Sequence, residues 1–174
     1  MMASMNIVLH FVDLCLFKSG PEDLPASQSV LKITLLVYLI VSVLVGLTNT
    51  DWMISIWTGL TETIFMMLVL WLILQFRGGQ ARYVQTLTAM AGSQIILGLI
   101  SIPILWQFYQ LEEIEQPKSL AMMLIMIVLF WSLMVTAHIF RKSLDIIPSR
   151  AVVITVIYSI VSLLAVGLVM SAVV

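Results

Sequence analysis

Few side chains in this chain can do chemistry, and Glu62 is the most conspicuous of them. It lies near the middle of an apolar run from Trp52 to Phe76. An ionised carboxylate there is costly unless it faces protein, faces a watery cavity or takes up a proton. Helical spacing puts Ser55, Thr58 and Gly59 on its face toward one end of the run and Phe65, Met66 and Val69 toward the other. Water would therefore reach Glu62 from the Ser55 side. A second apolar run carries a matching stripe of Ala91, Gln94, Gly98 and Ser101, with Gln94 at a similar depth. Small residues let two helices approach closely, so Glu62 and Gln94 are the expected hydrogen-bond pair. Ser42, Ser159 and Ser162 fall at that depth in two further runs. Glu62, Gln94, Ser42, Ser159 and Ser162 thus form a candidate intramembrane polar cluster. It could bind a proton or a polar solute, or it could be a satisfied network that fixes helix register.

The other reactive types point to less. Arg77, Arg82, Arg141, Lys142 and Arg150 could meet anionic headgroups or a partner, or simply set topology. His138 precedes Arg141 and Lys142 and is expected to point to the headgroups. Asn6, His10 and Asp13 share one narrow helical stripe. His10 and Asp13 alone are too few for a metal, so the stripe reads as solvated. Cys15 is the single cysteine, which excludes an intrachain disulfide and a thiolate cluster. Val12-Asp13-Leu14 before it lacks the small residues of a lipid-modified cysteine, so Cys15 reads as a packing residue. Met122, Met123 and Met126 also read as packing filler. The zinc motif His-Glu-x-x-His, a phosphate-binding glycine loop and a dinucleotide fingerprint are absent from the sequence. The two histidines lie far apart and do not suggest a haem-bridging pair. The expectation is a non-enzymatic protein with no cofactor and no metal.

Composition identifies the elements that must position these residues. The chain has 174 residues, 61% apolar and 10% charged, with a mean hydropathy of +1.13. That excludes a water-soluble globule. Eight basic and nine acidic residues give a net charge of -1, which offers no field for nucleic acid. Five runs near the 20 residues that cross a bilayer are about Val30 to Thr48, Trp52 to Phe76, Tyr83 to Ile102, Ser119 to Phe140 and Ala151 to Val173. The expected fold is all-α: a polytopic membrane bundle of five transmembrane helices in 30–174, preceded in 1–29 by an interfacial amphipathic helix and a Pro/Gly linker. That helix covers Ser4 to Phe17 and is too short to span. Ser19-Gly20-Pro21-Glu22-Asp23-Leu24-Pro25 breaks it, and Ser27 or Ser29 is the expected cap of the first span. Pro103 is expected to kink or stop the third span, leaving 104–109 along the interface.

No cationic start precedes the first apolar stretch, so a secretory signal is not expected. Five spans sort Lys18, Lys32, Arg77, Arg82, Arg141, Lys142 and Arg150 to one side and only Lys118 to the other. The positive-inside rule then puts the N-terminus and the loops at 77–82 and 141–150 in the cytoplasm. Asn49-Thr50-Asp51, the acidic stretch Glu112-Glu113-Ile114-Glu115 and the C-terminus fall outside. Short connections favour antiparallel neighbours in one bundle.

The stretch Arg77-Gly78-Gly79-Gln80-Ala81-Arg82-Tyr83-Val84-Gln85-Thr86-Leu87 resembles bacterial members of the Yip (Ypt-interacting protein) family of small five-span membrane proteins. The likeness lies in the Gly-Gly turn, the basic and aromatic pair and the polar-Thr-Leu start of the third span. The resemblance runs over about 30–174 and includes Ile102-Pro103. The acidic Tyr-Gly-Pro signature of eukaryotic members is missing. The resemblance implies a non-catalytic protein that organises partners and supplies no site residues. Together these readings give a scaffold or assembly factor in a bacterial inner membrane, whose partners are the bilayer and other membrane proteins or a second copy. The alternatives are a small transporter or channel subunit using Glu62 and Gln94, and a lipid-binding protein.

Overall fold

A computed structural model describes residues 2–110 and 118–173. Its elements are helices: α1 (Met2–Cys15), α2 (Gln28–Gly46), α3 (Trp52–Phe76), α4 (Tyr83–Gln110), α5 (Lys118–Leu144) and α6 (Pro148–Val173). Single 3₁₀ turns at Pro21–Asp23 and Gln80–Arg82 precede α2 and α4. The five helices from α2 to α6 are each long and apolar enough to cross a membrane. In lipid every backbone polar group must be bonded within the protein, and apolar runs of about 20 residues meet that need as helices.

The short links have clear local causes. Ser27 takes the N-cap of α2, and its carbonyl accepts Leu31 N–H at 3.0 Å, although its side chain makes no cap bond. After α3, Gly78 adopts φ +68°, and Gly78 and Gly79 N–H bond back to the carbonyls of Gln75 and Leu74. That is a left-handed helix stop, which glycine enters at little cost. Asp145, with φ 53°, ends α5 in the same way, and Ile146 N–H returns to the Arg141 carbonyl.

Around the bundle, α2 packs on α3, α3 on α6, α6 on α5, α5 on α4, and α4 back on α2. The helix α4 is the most enclosed, with half of its span buried, against 6% for α6. The main core sits toward the end that carries Arg77, Arg82 and Arg141. There Met66, Leu70 and Leu74 of α3 meet Leu87, Met90 and Ala91 of α4 and Ile139 and Phe140 of α5. Phe11, Leu14, Cys15 and Leu24 belong to this same cluster, so the N-terminal segment is packed into the bundle.

Two expectations change here. Helix α4 does not stop at Pro103 but runs through it to Gln110. Proline removes one ladder bond, whereas ending the helix in lipid would leave several groups unbonded. Met122, Met123 and Met126 are 58%, 56% and 57% exposed, so they face outward and fill no internal gap. The acidic stretch 112–115 lies outside the described residues.

Candidate functional site

The expected polar cluster divides into two sites. In the first, Ser42 on α2 donates its hydroxyl to Glu62 Oε2 on α3 at 2.5 Å. In the second, Gln94 on α4 turns to α5. Its Nε2 donates to Thr136 Oγ1 at 3.2 Å, and its Oε1 accepts from Ser132 Oγ at 3.2 Å. Each end of the amide has one partner.

The expected Glu62–Gln94 bond is therefore not made. The reason is steric: at this depth α2 comes between α3 and α4, which meet directly only nearer the basic end. Adjacent residues of α2 serve opposite neighbours, Val41 filling the space beside Gly98 of α4 and Ser42 and Val43 lying against Gly59 of α3. Ser159 and Ser162 are half-buried on α6, but they make no side-chain hydrogen bond among the described residues. The α6 side chain that reaches α3 near this level is Tyr158, whose ring packs on Phe65, three residues after Glu62, and on Phe140.

Approach to Glu62 from the α2–α3 loop is narrow. Thr50 and Ser55 hydroxyls bond at 2.8 Å, and Ser55 also donates to the Asp51 carbonyl. A Cβ on Gly46 would lie 3.0 Å from Ser55 Cβ, and one on Gly59 would lie 3.0 Å from Val43 Cγ2. The two helices meet closely at both glycines. Toward the basic end, the fully buried Met66, Leu70 and Leu74 close the other direction.

The cationic residues gather at that basic end. Arg77, Arg82, Arg141, Lys142 and Arg150 are all exposed. Lys142 Nζ pairs with Glu22 Oε1 at 3.2 Å. Both groups are about half exposed, so the pair marks a position more than it adds stability. Arg82 and Lys142 line a narrow crevice with Pro21, Glu22, Gln85, Thr86 and Ser143. Arg77 follows a larger open cleft of about 410 Å³ lined by Trp71, Leu74, Gln75, Gln80 and Tyr83. Tyr83 Oη closes one wall by donating to the Met67 carbonyl at 3.1 Å. His138 does not point to the headgroups. Its Nε2 lies 3.0 Å from the Ser19 carbonyl, and its ring meets Phe17 edge-on at 5.5 Å.

Several partners escaped the sequence reading. Ser132 and Thr136 stand four residues apart on one face of α5, a spacing that was available as a signal for a neighbouring amide. The buried Thr86–Ser143 bond at 3.0 Å, which joins α4 to α5, carried no such signal. Nor did Gln85, whose Nε2 reaches the Leu24 carbonyl at 2.7 Å.

Compared with family models, with curated proteins and with solved structures, the chain matches none. The functional reading rests on the residues themselves.

Proposed function

We propose that this chain is a non-enzymatic scaffold or assembly factor for other membrane proteins, of the kind the likeness of 77–87 to the Yip family implies. One observation carries the reading: the mid-span polar groups Glu62 and Gln94 each hydrogen-bond side chains of a neighbouring helix, Glu62 to Ser42 and Gln94 to Ser132 and Thr136. Such pairing fixes helix register. We place the protein in a bacterial inner membrane, with the N-terminus and the basic loops in the cytoplasm and the C-terminus outside. The support for that orientation is the one-sided distribution of Lys and Arg.

The test is purification of the full chain in a gentle detergent with mass spectrometry of what accompanies it. A membrane complex at stoichiometric yield is the expected result. A lone chain or a homo-oligomer would overturn the assembly-factor reading.

A transporter or channel subunit is the second reading, favoured by one fact: a carboxylate at mid-span with a hydroxyl at 2.5 Å. It requires Glu62→Gln to abolish flux. The scaffold reading expects that variant to fold, assemble and support growth as the parent does. The open cleft at Trp71 and Tyr83 favours a third, lipid-binding reading, which native mass spectrometry tests by a preference for anionic lipids.

A further inference from the structure

The N-terminal segment is docked far deeper than an interfacial helix needs to be. Its depth can be read on two spans independently. On α5, Trp131 Nε1 donates to the Cys15 carbonyl at 2.8 Å. Trp131 stands ten residues before Arg141, about 15 Å along the helix axis. On α4, the Cys15 thiol points to the Ser93 carbonyl at 3.7 Å, and the Phe11 ring fills the space beside Gly92. Ser93 stands eleven residues after Arg82, about 16.5 Å along that axis. A hydrocarbon core is about 30 Å thick, so both rulers put Cys15 near its middle.

The chain then returns to the side it shares with Arg82 and Arg141. The Ser19 carbonyl is at His138, the Glu22 carboxylate at Lys142, and the Leu24 carbonyl at Gln85. His138 and Gln85 stand three residues inside Arg141 and Arg82, and Lys142 one residue beyond Arg141, so all three contacts lie at the basic end. Ser19 Oγ also donates to the His10 carbonyl at 3.4 Å, so the returning limb runs back along α1.

The turn satisfies the requirement of that depth. A helix end leaves carbonyls without partners, which lipid cannot supply. Here Leu16 N–H bonds the Val12 carbonyl, Lys18 N–H bonds that of Asp13 and Phe17 N–H bonds that of Leu14. Trp131 takes the Cys15 carbonyl. Phe17 accepts φ 61° to close the turn.

We propose that residues 2–24 form a re-entrant hairpin, entering and leaving the membrane on the side of Arg82 and Arg141, with its outer face covered by the acyl chains of that leaflet. The inner face is Phe11, Leu14 and Cys15, at 6%, 0% and 2% exposure, set against α4 and α5. The outer face is Val8, Leu9, Leu16 and Phe17, at 42 to 56% exposure. At the depth of Trp131 and Ser93 that outer face continues the lipid-facing surface of the spans. The polar residues it carries are half-buried His10 and Asp13, with Asp13 only two residues from Cys15 and so close to its depth, and exposed Lys18, whose long stem reaches toward the headgroups. The hairpin adds one helix to the bundle's cross-section in one leaflet only. The proposal is independent of the scaffold reading.

Site-directed spin labelling of the full chain in phosphatidylethanolamine–phosphatidylglycerol vesicles tests it. Labels go at Leu16→Cys and Leu9→Cys, with two references on α3. Leu68→Cys faces lipid about 13.5 Å from Arg77, and Phe76→Cys lies beside Arg77 at the surface. The parent chain, whose Cys15 is buried, sets the background. These positions are all exposed, so the labels disturb little packing. Accessibility to dissolved oxygen and to a water-soluble nickel chelate is compared. The expected result is a high oxygen-to-nickel ratio at Leu16 that matches Leu68, with Leu9 between Leu16 and Phe76. A ratio at Leu16 equal to that at Phe76 would put α1 at the interface and overturn the proposal. Protection of Leu16 from both reagents would show a protein occupant and overturn it equally.

Discussion

The two mid-membrane polar sites differ in a way that shows how this bundle is held. At Glu62 an ionisable group has one side-chain hydrogen-bond partner, Ser42, in an interface closed by Gly46 and Gly59. At Gln94 a neutral amide has one partner at each end, both from α5. The α2–α3 contact therefore depends on small residues and close approach, with the hydrogen bond as an addition. The α4–α5 contact depends more on hydrogen bonding, extended toward the basic end by Thr86–Ser143. Hydrogen bonds between spans contribute modestly, about 0.6 kcal/mol on average, because the separated helices also find partners. Close packing, by contrast, fails abruptly when one side is enlarged.

That contrast orders the expected effects of mutation. Gly46→Leu should be the most damaging, because its added carbon would meet Ser55 Cα at 3.2 Å, and backbone cannot yield as a side-chain tip does. A loss of about 2–3 kcal/mol is expected from such overpacking, read as a shifted unfolding midpoint in detergent. An unshifted midpoint would mean the α2–α3 contact is looser than described. Gln94→Leu removes two hydrogen bonds and should cost about 1 kcal/mol in the same assay. A loss of 3 kcal/mol or more would make Gln94 a larger determinant than two such bonds allow.

The separateness of the sites has its own measurement. Ser42→Ala and Gln94→Leu should be additive within about 0.5 kcal/mol, as expected of sites that share no partner. A larger coupling would restore a single network spanning α2 to α5. Smallest of all, Ser159→Ala and Ser162→Ala should each leave stability within about 0.5 kcal/mol, since neither hydroxyl bonds to a side chain of the cluster. A greater loss from either would bring α6 back into the polar cluster.

Much of the architecture was legible in the sequence because a bilayer imposes one dominant constraint. Apolar runs of the right length must be helices, and the run from Trp52 to Phe76 matches α3 end for end. The Gly78-Gly79 turn was also readable, since glycine stops a helix by entering the left-handed region. Pro103 did not stop α4 because the one ladder bond it removes is small beside the cost of opening a helix in lipid. The polar cluster misled for another reason. Helical spacing gives depth and face but not which neighbour lies on that face, so Glu62 and Gln94 shared a level without sharing an interface. His138 was misplaced by the same limit: adjacent charges suggested the headgroups, and a distant segment, Ser19, claimed the ring.

The sequence by itself determined that the chain has five helices able to cross a membrane, where their links lie and which residues stand at mid-depth. Those follow from length, hydropathy and turn chemistry, which are local along the chain. Only the tertiary structure decided that α2 would come between α3 and α4 at the depth of Glu62, that Gln94 would serve α5, and that the N-terminal segment would reach Trp131 and turn back. Those outcomes depend on which of several similar apolar faces pack together. Faces of Leu, Ile, Val and Met are nearly interchangeable in hydropathy, so shape complementarity at Gly46, Gly59, Gly92 and Gly98 selects among them.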